Sequence, residues 1–348
     1  MTVSMEPLPA DRPVRVGMIG LGGGAQVIHL PILDESDSVE IVGVCDVDAY
    51  KVSRIANRYN VEGFLDAVNM LKITEPDVVL ICTPTITHLP LALNAMERGA
   101  HVIIEKPVTR NLDEALRLQQ AARDREKLVL VAMNLRFRQD VSVLKNFLTA
   151  GELGDIWRVR AGWLKRRVTW SRSPWLHKPS ISGGGVLMDL GMQMIDVVHW
   201  MLGGRAIDRV IAFSHHEALG LEVEDTVCGA IHYKDGPVFL LDVSWGLMAE
   251  SSLSYAYFEG KTGSAQLDPL TVYKSMQGEM VNVSPVRSGS STDLYRASFE
   301  AQMYQFLQIL RGEREPVSTI DEAVDVMRIV EMIYRSAGEH REIGAGSA

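Results

Sequence analysis

The stretch Val14-Arg15-Val16-Gly17-Met18-Ile19-Gly20-Leu21-Gly22-Gly23-Gly24-Ala25 is an apolar run closed by a glycine cluster. Such a run, followed at once by glycines and then by a helix-period segment, predicts a buried strand, a tight turn and a helix. Gly20, Gly22 and Ala25 fit the pattern G-x-G-x-x-A. With Gly23 and Gly24 they permit the turn and let main-chain N–H groups approach a pyrophosphate at the helix N-terminus. Asp46 stands 24 residues beyond Gly22, at the end of the next apolar run, where a carboxylate can bind ribose hydroxyls. Together they predict a dinucleotide site. Asp46 would repel a 2′-phosphate and Val47 supplies no arginine to offset it, so NAD is expected rather than NADP.

Working outward, apolar runs at 14–19, 39–45, 77–82, 101–104 and 128–133 alternate with helix-period stretches at 25–34, 48–59, 65–73, 88–98 and 112–126. The last opens on Asn111 with Glu114 three residues on, a capping-box pattern. Alternation of this kind predicts a doubly wound parallel sheet covered on both faces. A Rossmann domain is therefore expected over 14–134, behind a loose tail at 1–13.

After about residue 135 the rhythm changes. A helix is expected at 138–149, then an alternating strand at 155–169 with Trp157, Val159, Ala161 and Trp163 on the buried face and Arg158 and Arg160 on the wet one. Further strands at 206–216, 223–234, 237–248, 253–259 and 263–267, joined by short turns, predict a mainly antiparallel sheet. Residues 186–202 are apolar nearly all round, which predicts a buried helix. A surface loop is expected at 284–293 and helices at 298–311 and 321–337, the second capped by Thr319 and Glu322 and open to packing back on the first domain. The second domain is thus 135–348.

Composition narrows the function. The 348 residues are 47% hydrophobic and 23% charged, with a formal net charge of −9, which argues for a folded chain and against nucleic acid as a partner. Cys45, Cys82 and Cys228 lie far apart in apolar runs and no C-x-x-C pair occurs, as expected of buried thiols in a reducing compartment. No metal-ligand spacing is present. The N-terminal residues lack the basic start and apolar middle of a secretory signal, and no charge-free apolar stretch of membrane length occurs, so the cytoplasm is expected, with no membrane partner.

Thr83-Pro84-Thr85-Ile86-Thr87-His88 and Glu105-Lys106-Pro107 follow two of the expected strands. Gly183-Gly184-Gly185 precedes Asp189-Leu190-Gly191-Met192-Gln193-Met194-Ile195-Asp196, then Trp200 and Gly203. With the first glycine turn, this series resembles the Gfo/Idh/MocA family over nearly the whole chain. The resemblance implies a Rossmann domain followed by an α/β domain with an open, mainly antiparallel sheet, used in a homodimer or homotetramer. It implies reversible oxidation of a secondary hydroxyl on a sugar, cyclitol or related polyol by a nicotinamide cofactor. It implies Lys106 as the catalytic lysine and Asp189 as its helix partner, with Gln193 where the family usually has histidine. Thr83, Pro84, His88, Glu105, Lys106 and Asn134 fall where cofactor contacts are expected, and Arg136 where cofactor or substrate is met.

The residues themselves support parts of this. A lysine at the carboxyl edge of a parallel sheet sits where ligands bind, and its ammonium could orient a hydroxyl and share its proton. Steps of four, three and four residues keep Asp189, Gln193, Asp196 and Trp200 on one helix face, with Asp196 expected to bind backbone or an arginine. His199 lies off that face. His29 and His88 are expected to pack or cap near the cofactor. Trp175, His177 and Lys178, in a basic loop that also holds Trp170 and Arg172, are expected near substrate because aromatic rings suit the apolar faces of sugars. Three other functions stay open: a redox-neutral glycosidase or lyase that holds NAD, an NAD-binding regulator without catalysis, and a structural member of an assembly.

Overall fold

The computed structural model describes residues 7–167, 174–286 and 291–347. They form two compact units: Met1–Asn134 with Arg296–Val324, and Leu135–Tyr295 with Asp325–Ala348. The segment 296–324, placed with the second domain from sequence, therefore folds with the first. The helix Ile320–Glu339 starts in the first unit and has its remainder in the second. Trp170 and Arg172 lie outside the described residues.

In the first unit, strands β1 (Val14–Ile19), β2 (Val39–Cys45), β3 (Gly63–Phe64), β4 (Val78–Ile81), β5 (His101–Glu105) and β6 (Val129–Ala132) form one sheet in the order β3-β2-β1-β4-β5-β6. All pairs are parallel. That is the doubly wound order, with a switch point between β1 and β4 where ligands bind at the carboxyl ends of the strands. All residues of β4 and β6 are buried, as a sheet covered on both faces requires. Helices start where caps supply acceptors: Asp48 accepts from Tyr50 and Lys51, Asp66 from Asn69, and Asn111 from Glu114. Glu114 does not close the expected box back onto Asn111 but accepts from the Arg110 N–H at 3.1 Å. Thr319 and Glu322 do form a reciprocal box. The tail expected to be loose is fastened from Leu8 onward: its N–H donates to Leu310 O at 2.9 Å, and Arg12 Nη2 pairs with Asp77 Oδ1 at 2.8 Å.

In the second unit, nine strands run in the order β14-β13-β12-β11-β7-β10-β9-β8-β15. They are β7 (Ile156–Arg166), β8 (Ile207–His215), β9 (Thr226–Tyr233), β10 (Val238–Leu247), β11 (Leu253–Gly260), β12 (Gly263–Leu267), β13 (Thr271–Met276), β14 (Glu279–Asn282) and β15 (Ile343–Gly344). Only the β7–β10 pair is parallel. Paired residues make one apolar row across seven strands, Val210, Ile231, Phe239, Val159, Phe258, Ala265 and Val272, each 3% exposed or less. That face packs against the helix built from a π turn, Leu187–Gly191, and an α segment, Met192–Met201. The window within Pro179–Met201 is apolar and long enough to cross a membrane by composition, yet 83% of it is buried.

Three expectations need correction. Trp157 is 50% exposed and lies against the Arg158 guanidinium, 4.8 Å from its ring centroid, because the covered part of β7 starts only at Val159. The helix expected from 298 starts at Ser291, where Ser291, Thr292 and Asp293 are the residue types that open helices. β13 and β14 were not expected, since all of β14 is exposed and shows no apolar period.

Candidate active site

At the end of β1, Gly20 has φ +92°, and a Cβ there would lie 2.4 Å from the Cys82 carbonyl oxygen, so glycine is required. Beside Gly22 and Gly23 a Cβ would meet nothing within 4 Å. The turn therefore leaves an open ledge at the start of the first helix, the cradle a pyrophosphate needs. Asp46 borders it, with a side chain 11% exposed. Its Oδ2 accepts from Leu21 N–H at 2.8 Å and its Oδ1 from Asp48 N–H at 2.9 Å. A carboxylate has about four acceptor positions, so capacity remains for ribose hydroxyls. The residues present fit an NAD(H) adenosine end.

The loops after β4 and β5 are tied together by His88. Its Nε2 faces Thr83 O at 2.9 Å and its Nδ1 faces Pro107 O at 2.9 Å. Both ring nitrogens are thus committed to main-chain carbonyls, and any contribution of His88 to cofactor binding runs through the loops it braces. Burial pushes its pKa down despite those carbonyls. Thr87 Oγ1 donates to Thr83 Oγ1 at 2.7 Å, and Pro84 caps the short turn Thr85–Thr87. Glu105 bonds His29 Nε2 at 2.7 Å and accepts from the Lys106 N–H at 3.1 Å. Burial pushes its carboxyl up, but the His29 hydrogen bond and the His29 and Lys106 charges outweigh that and hold it below the usual range.

His29, Cys82 and Glu105 bring possible metal-ligand atoms within 4.8 Å of one another, a grouping their sequence spacing did not suggest. His29 and Glu105 already bond each other, and burial pushes the Cys82 thiol far up, which disfavours the thiolate that a metal takes as ligand. A cavity of about 620 Å³ lined by Pro7, Asp77, His101 and Lys127 lies at the opposite, amino edge of the sheet. None of the expected site residues lines it.

In the second unit, every residue from 184 to 199 is buried except Asp189. Its Oδ2 accepts from the Trp245 indole Nε1 at 3.2 Å. Gln193, 6% exposed, donates from Nε2 to Asp189 O at 2.8 Å, so its amide oxygen is not the atom engaged in that bond. Asp196 takes a bidentate pair from Arg136, Nε to Oδ2 at 2.7 Å and Nη2 to Oδ1 at 2.6 Å, with both residues buried. The direct substrate contact expected of Arg136 thus meets a guanidinium fork already held by Asp196. In the first unit, Asn134 Nδ2 donates to Ser298 Oγ at 3.0 Å. Trp175 and His177 sit half-buried in the turn Pro174–His177, and the exposed Lys178 caps the helix Pro179–Ser182.

Three neighbours of this helix carry no sequence signal of a site. Glu224, 4% exposed, accepts from Gly185 N–H at 2.9 Å, Leu187 N–H at 3.1 Å and Tyr334 O–H at 2.9 Å. Burial raises its pKa against those bonds. A Cβ on Gly184 would lie 1.9 Å from Tyr334 Oη, and one on Gly185 2.0 Å from Glu224 O. The glycine triplet is thus dictated by close approach. Trp245 is the third neighbour, and the approach of all three is a product of tertiary packing.

Residues 14–133 match the model of the oxidoreductase family with an NAD-binding Rossmann fold, and residues 145–344 match that family's C-terminal alpha/beta domain. The chain is 28% identical to D-glucoside 3-dehydrogenase of Escherichia coli (strain K12), over 96% of this chain and 98% of that one. It is 25% identical to the rhizopine catabolism protein MocA of Rhizobium meliloti, over 91% and 93%. Levoglucosan dehydrogenase in complex with NADH and levoglucosan shares its fold with a TM-score of 0.84 at 21% identity, over 96% and 99% of the two chains. With both halves of its length matched and the dinucleotide ledge in place, the chain belongs to the Gfo/Idh/MocA family of NAD-dependent oxidoreductases.

Proposed function

We propose that this enzyme interconverts a secondary hydroxyl and a ketone on a sugar, cyclitol or related polyol. The observation that carries the reading is Asp189, the one residue between 184 and 199 that is not buried, with the Gln193 amide bonded to its main-chain carbonyl one helical turn on. A buried amide and a half-buried carboxylate on an otherwise apolar helix need polar partners, and two acceptors suit a polyol's hydroxyls. The 28% identity to D-glucoside 3-dehydrogenase supports the same substrate class.

When bound, NAD supplies the hydride acceptor. The chain's part is to bind, orient and move a proton. Main-chain N–H groups after Gly22 hold the pyrophosphate, and Asp46 holds the adenosine ribose. Lys106 orients the reacting hydroxyl and takes its proton on Nζ; Asp189 and Gln193 offer acceptors to substrate hydroxyls. Trp175, His177 and Lys178 border it. Gln193 has no titration near neutral pH, so it positions and does not accept the proton.

We place an oligomer contact on the outer face of the second sheet, where Ile211 and Leu240 lie in one paired row through Ala230, next to Phe213, and are 42%, 37% and 57% exposed. A contiguous exposed apolar patch of this kind fits a second copy of the chain. Of the thiols expected to be buried, Cys45 is, Cys82 is half-buried and Cys228 is exposed; all three are free cysteines, which fits a reducing compartment such as the cytoplasm.

Screening glucosides, aldoses, cyclitols and uronates with NAD for steady NADH formation tests the reading. Sustained NADH with one class is the expected result. Glycoside cleavage without net NADH, or tight NAD binding with no turnover on any class, overturns it.

A further inference from the structure

We infer that Trp245 is the positioning residue of Asp189: its indole N–H holds that carboxylate in the orientation and ionised state in which it meets a substrate hydroxyl. The inference rests on the polyol reading above and assigns a role to a residue outside every motif.

Trp245 lies on β10 and is 1% exposed. Strand alternation puts it on the covered face with the buried Phe239, Leu241 and Val243. Its main-chain N–H is fixed to Asp225 O at 2.8 Å. A buried indole N–H needs an acceptor, and this one takes Asp189 Oδ2 at 3.2 Å. The choice of donor matters chemically. Indole donates and cannot accept or titrate near neutral pH, so it favours the carboxylate form of its partner. The main chain of the same helix is held separately, by Glu224 on the Gly185 and Leu187 N–H groups. Gln193 binds the Asp189 carbonyl and does not compete for the carboxylate.

Alternation puts Lys165 of β7 on the covered face with Val159 and Ala161, and Asp225, just before β9, on that face with Val227; the Asp225 carboxylate accepts from Leu219 N–H at 2.7 Å and from Thr226 Oγ1 at 3.1 Å. Arg158, Arg160, Asp242 and Cys228 are on the opposite face of the sheet by alternation. Tyr233 stacks on His199, with ring centroids 5.9 Å apart. Of the helix's own neighbours, Glu224 is engaged with Tyr334 and the glycine turn.

Two replacements separate the N–H from the ring: Trp245→Phe, and the isosteric β-(3-benzothienyl)alanine at 245, in which sulfur stands for the N–H. Among the six tryptophans, the 245 indole resonance of the ¹⁵N-labelled full chain is assigned by its loss in Trp245→Phe. Its shift is expected to follow a titration that disappears in Asp189→Asn. With a polyol substrate, the benzothienyl variant is expected to lose about tenfold in kcat, the scale of one hydrogen bond to a charged group. The acidic limb of its kcat/KM profile moves to higher pH, and KM for NAD stays unchanged. A benzothienyl variant with the parent's kcat and profile, while Asp189→Asn is impaired, overturns the role of Trp245 and leaves the polyol reading intact. If the parent turns over no polyol, that reading falls on its own. An indole resonance indifferent to Asp189→Asn then overturns the pairing without recourse to activity.

Discussion

Asp46 Oδ2 accepts the Leu21 N–H at 2.8 Å, so the carboxylate that follows β2 also fastens the glycine turn that follows β1. One side chain thereby shapes the ledge and sets which cofactor suits it. NAD(H) is expected to bind at least tenfold more tightly than NADP(H), about 1.4 kcal/mol. In Asp46→Asn the amide oxygen can keep the Leu21 bond while the charge and the acceptor for Asp48 N–H are gone, so the preference should shrink, at a cost of about 1 kcal/mol in stability. Fluorescence titration with both cofactors checks this, and equal or tighter NADP(H) binding by the parent refutes the assignment.

Five of the six strands of the parallel half were legible as short apolar runs, as with Val14–Ile19 before Gly20, and so was the cap Asn111 before the helix Leu112–Asp124; β3, two residues long, gave no such run. β14 was not, because Met280 and Val281 are exposed and give no period. At the site, Lys106, Asp189 and Gln193 stood out through motif spacing. Trp245 and Tyr334 are 56 and 145 residues from Asp189 in sequence. A tryptophan on a strand reads as core until the helix it touches is known. Arg136 and Asp196 were both visible as polar residues, but their pairing is a fact of packing.

His101 gives stability a definite pH dependence. Its side chain is 3% exposed, and burial, with the Lys127 charge, lowers its pKa to about 4. Nδ1 accepts the Leu128 N–H at 3.1 Å, which requires the neutral ring. The unfolded chain takes up a proton near pH 6.5 and the folded one resists, so the stability is present above about pH 6.5 and is lost as pH falls through the folded value. That linkage is on the order of 3 kcal/mol. His101→Asn retains an acceptor without the titration. Urea unfolding at several pH values between 7.5 and 4 should show a shallower acid loss in the variant, and identical slopes would mean that His101 titrates normally.

The buried Arg136–Asp196 pair makes a prediction about role as well as stability. Removing either charge alone strands the other, at a cost of about 3–5 kcal/mol, whereas replacing both by apolar residues of similar size is close to neutral. Arg136→Met should therefore unfold at much lower denaturant than the double variant Arg136→Met/Asp196→Leu. If the double variant also keeps substrate KM, Arg136 is a packing residue. A stable double variant whose KM for the polyol rises tenfold or more would return Arg136 to the substrate.

Gln193 bears most directly on the chemistry. Its Nε2 gives one N–H to Asp189 O, leaving the amide oxygen and the second N–H for a substrate hydroxyl, and no proton can be left on it. With Lys106 as the proposed proton acceptor, activity should rise with pH through a lysine-like pKa. Lys106→Met is expected to lose on the order of 10²–10⁴ in turnover, as for removal of a proton-transfer group, with NAD still bound and the alkaline limb gone. Gln193→His should add a second titration near about pH 6.5, because imidazole can accept the proton that the amide cannot. His177→Ala should leave the alkaline limb in place. If the parent profile instead follows a group of pKa about 6–7 that vanishes in His177→Ala, the base is His177 and Lys106 only orients the hydroxyl.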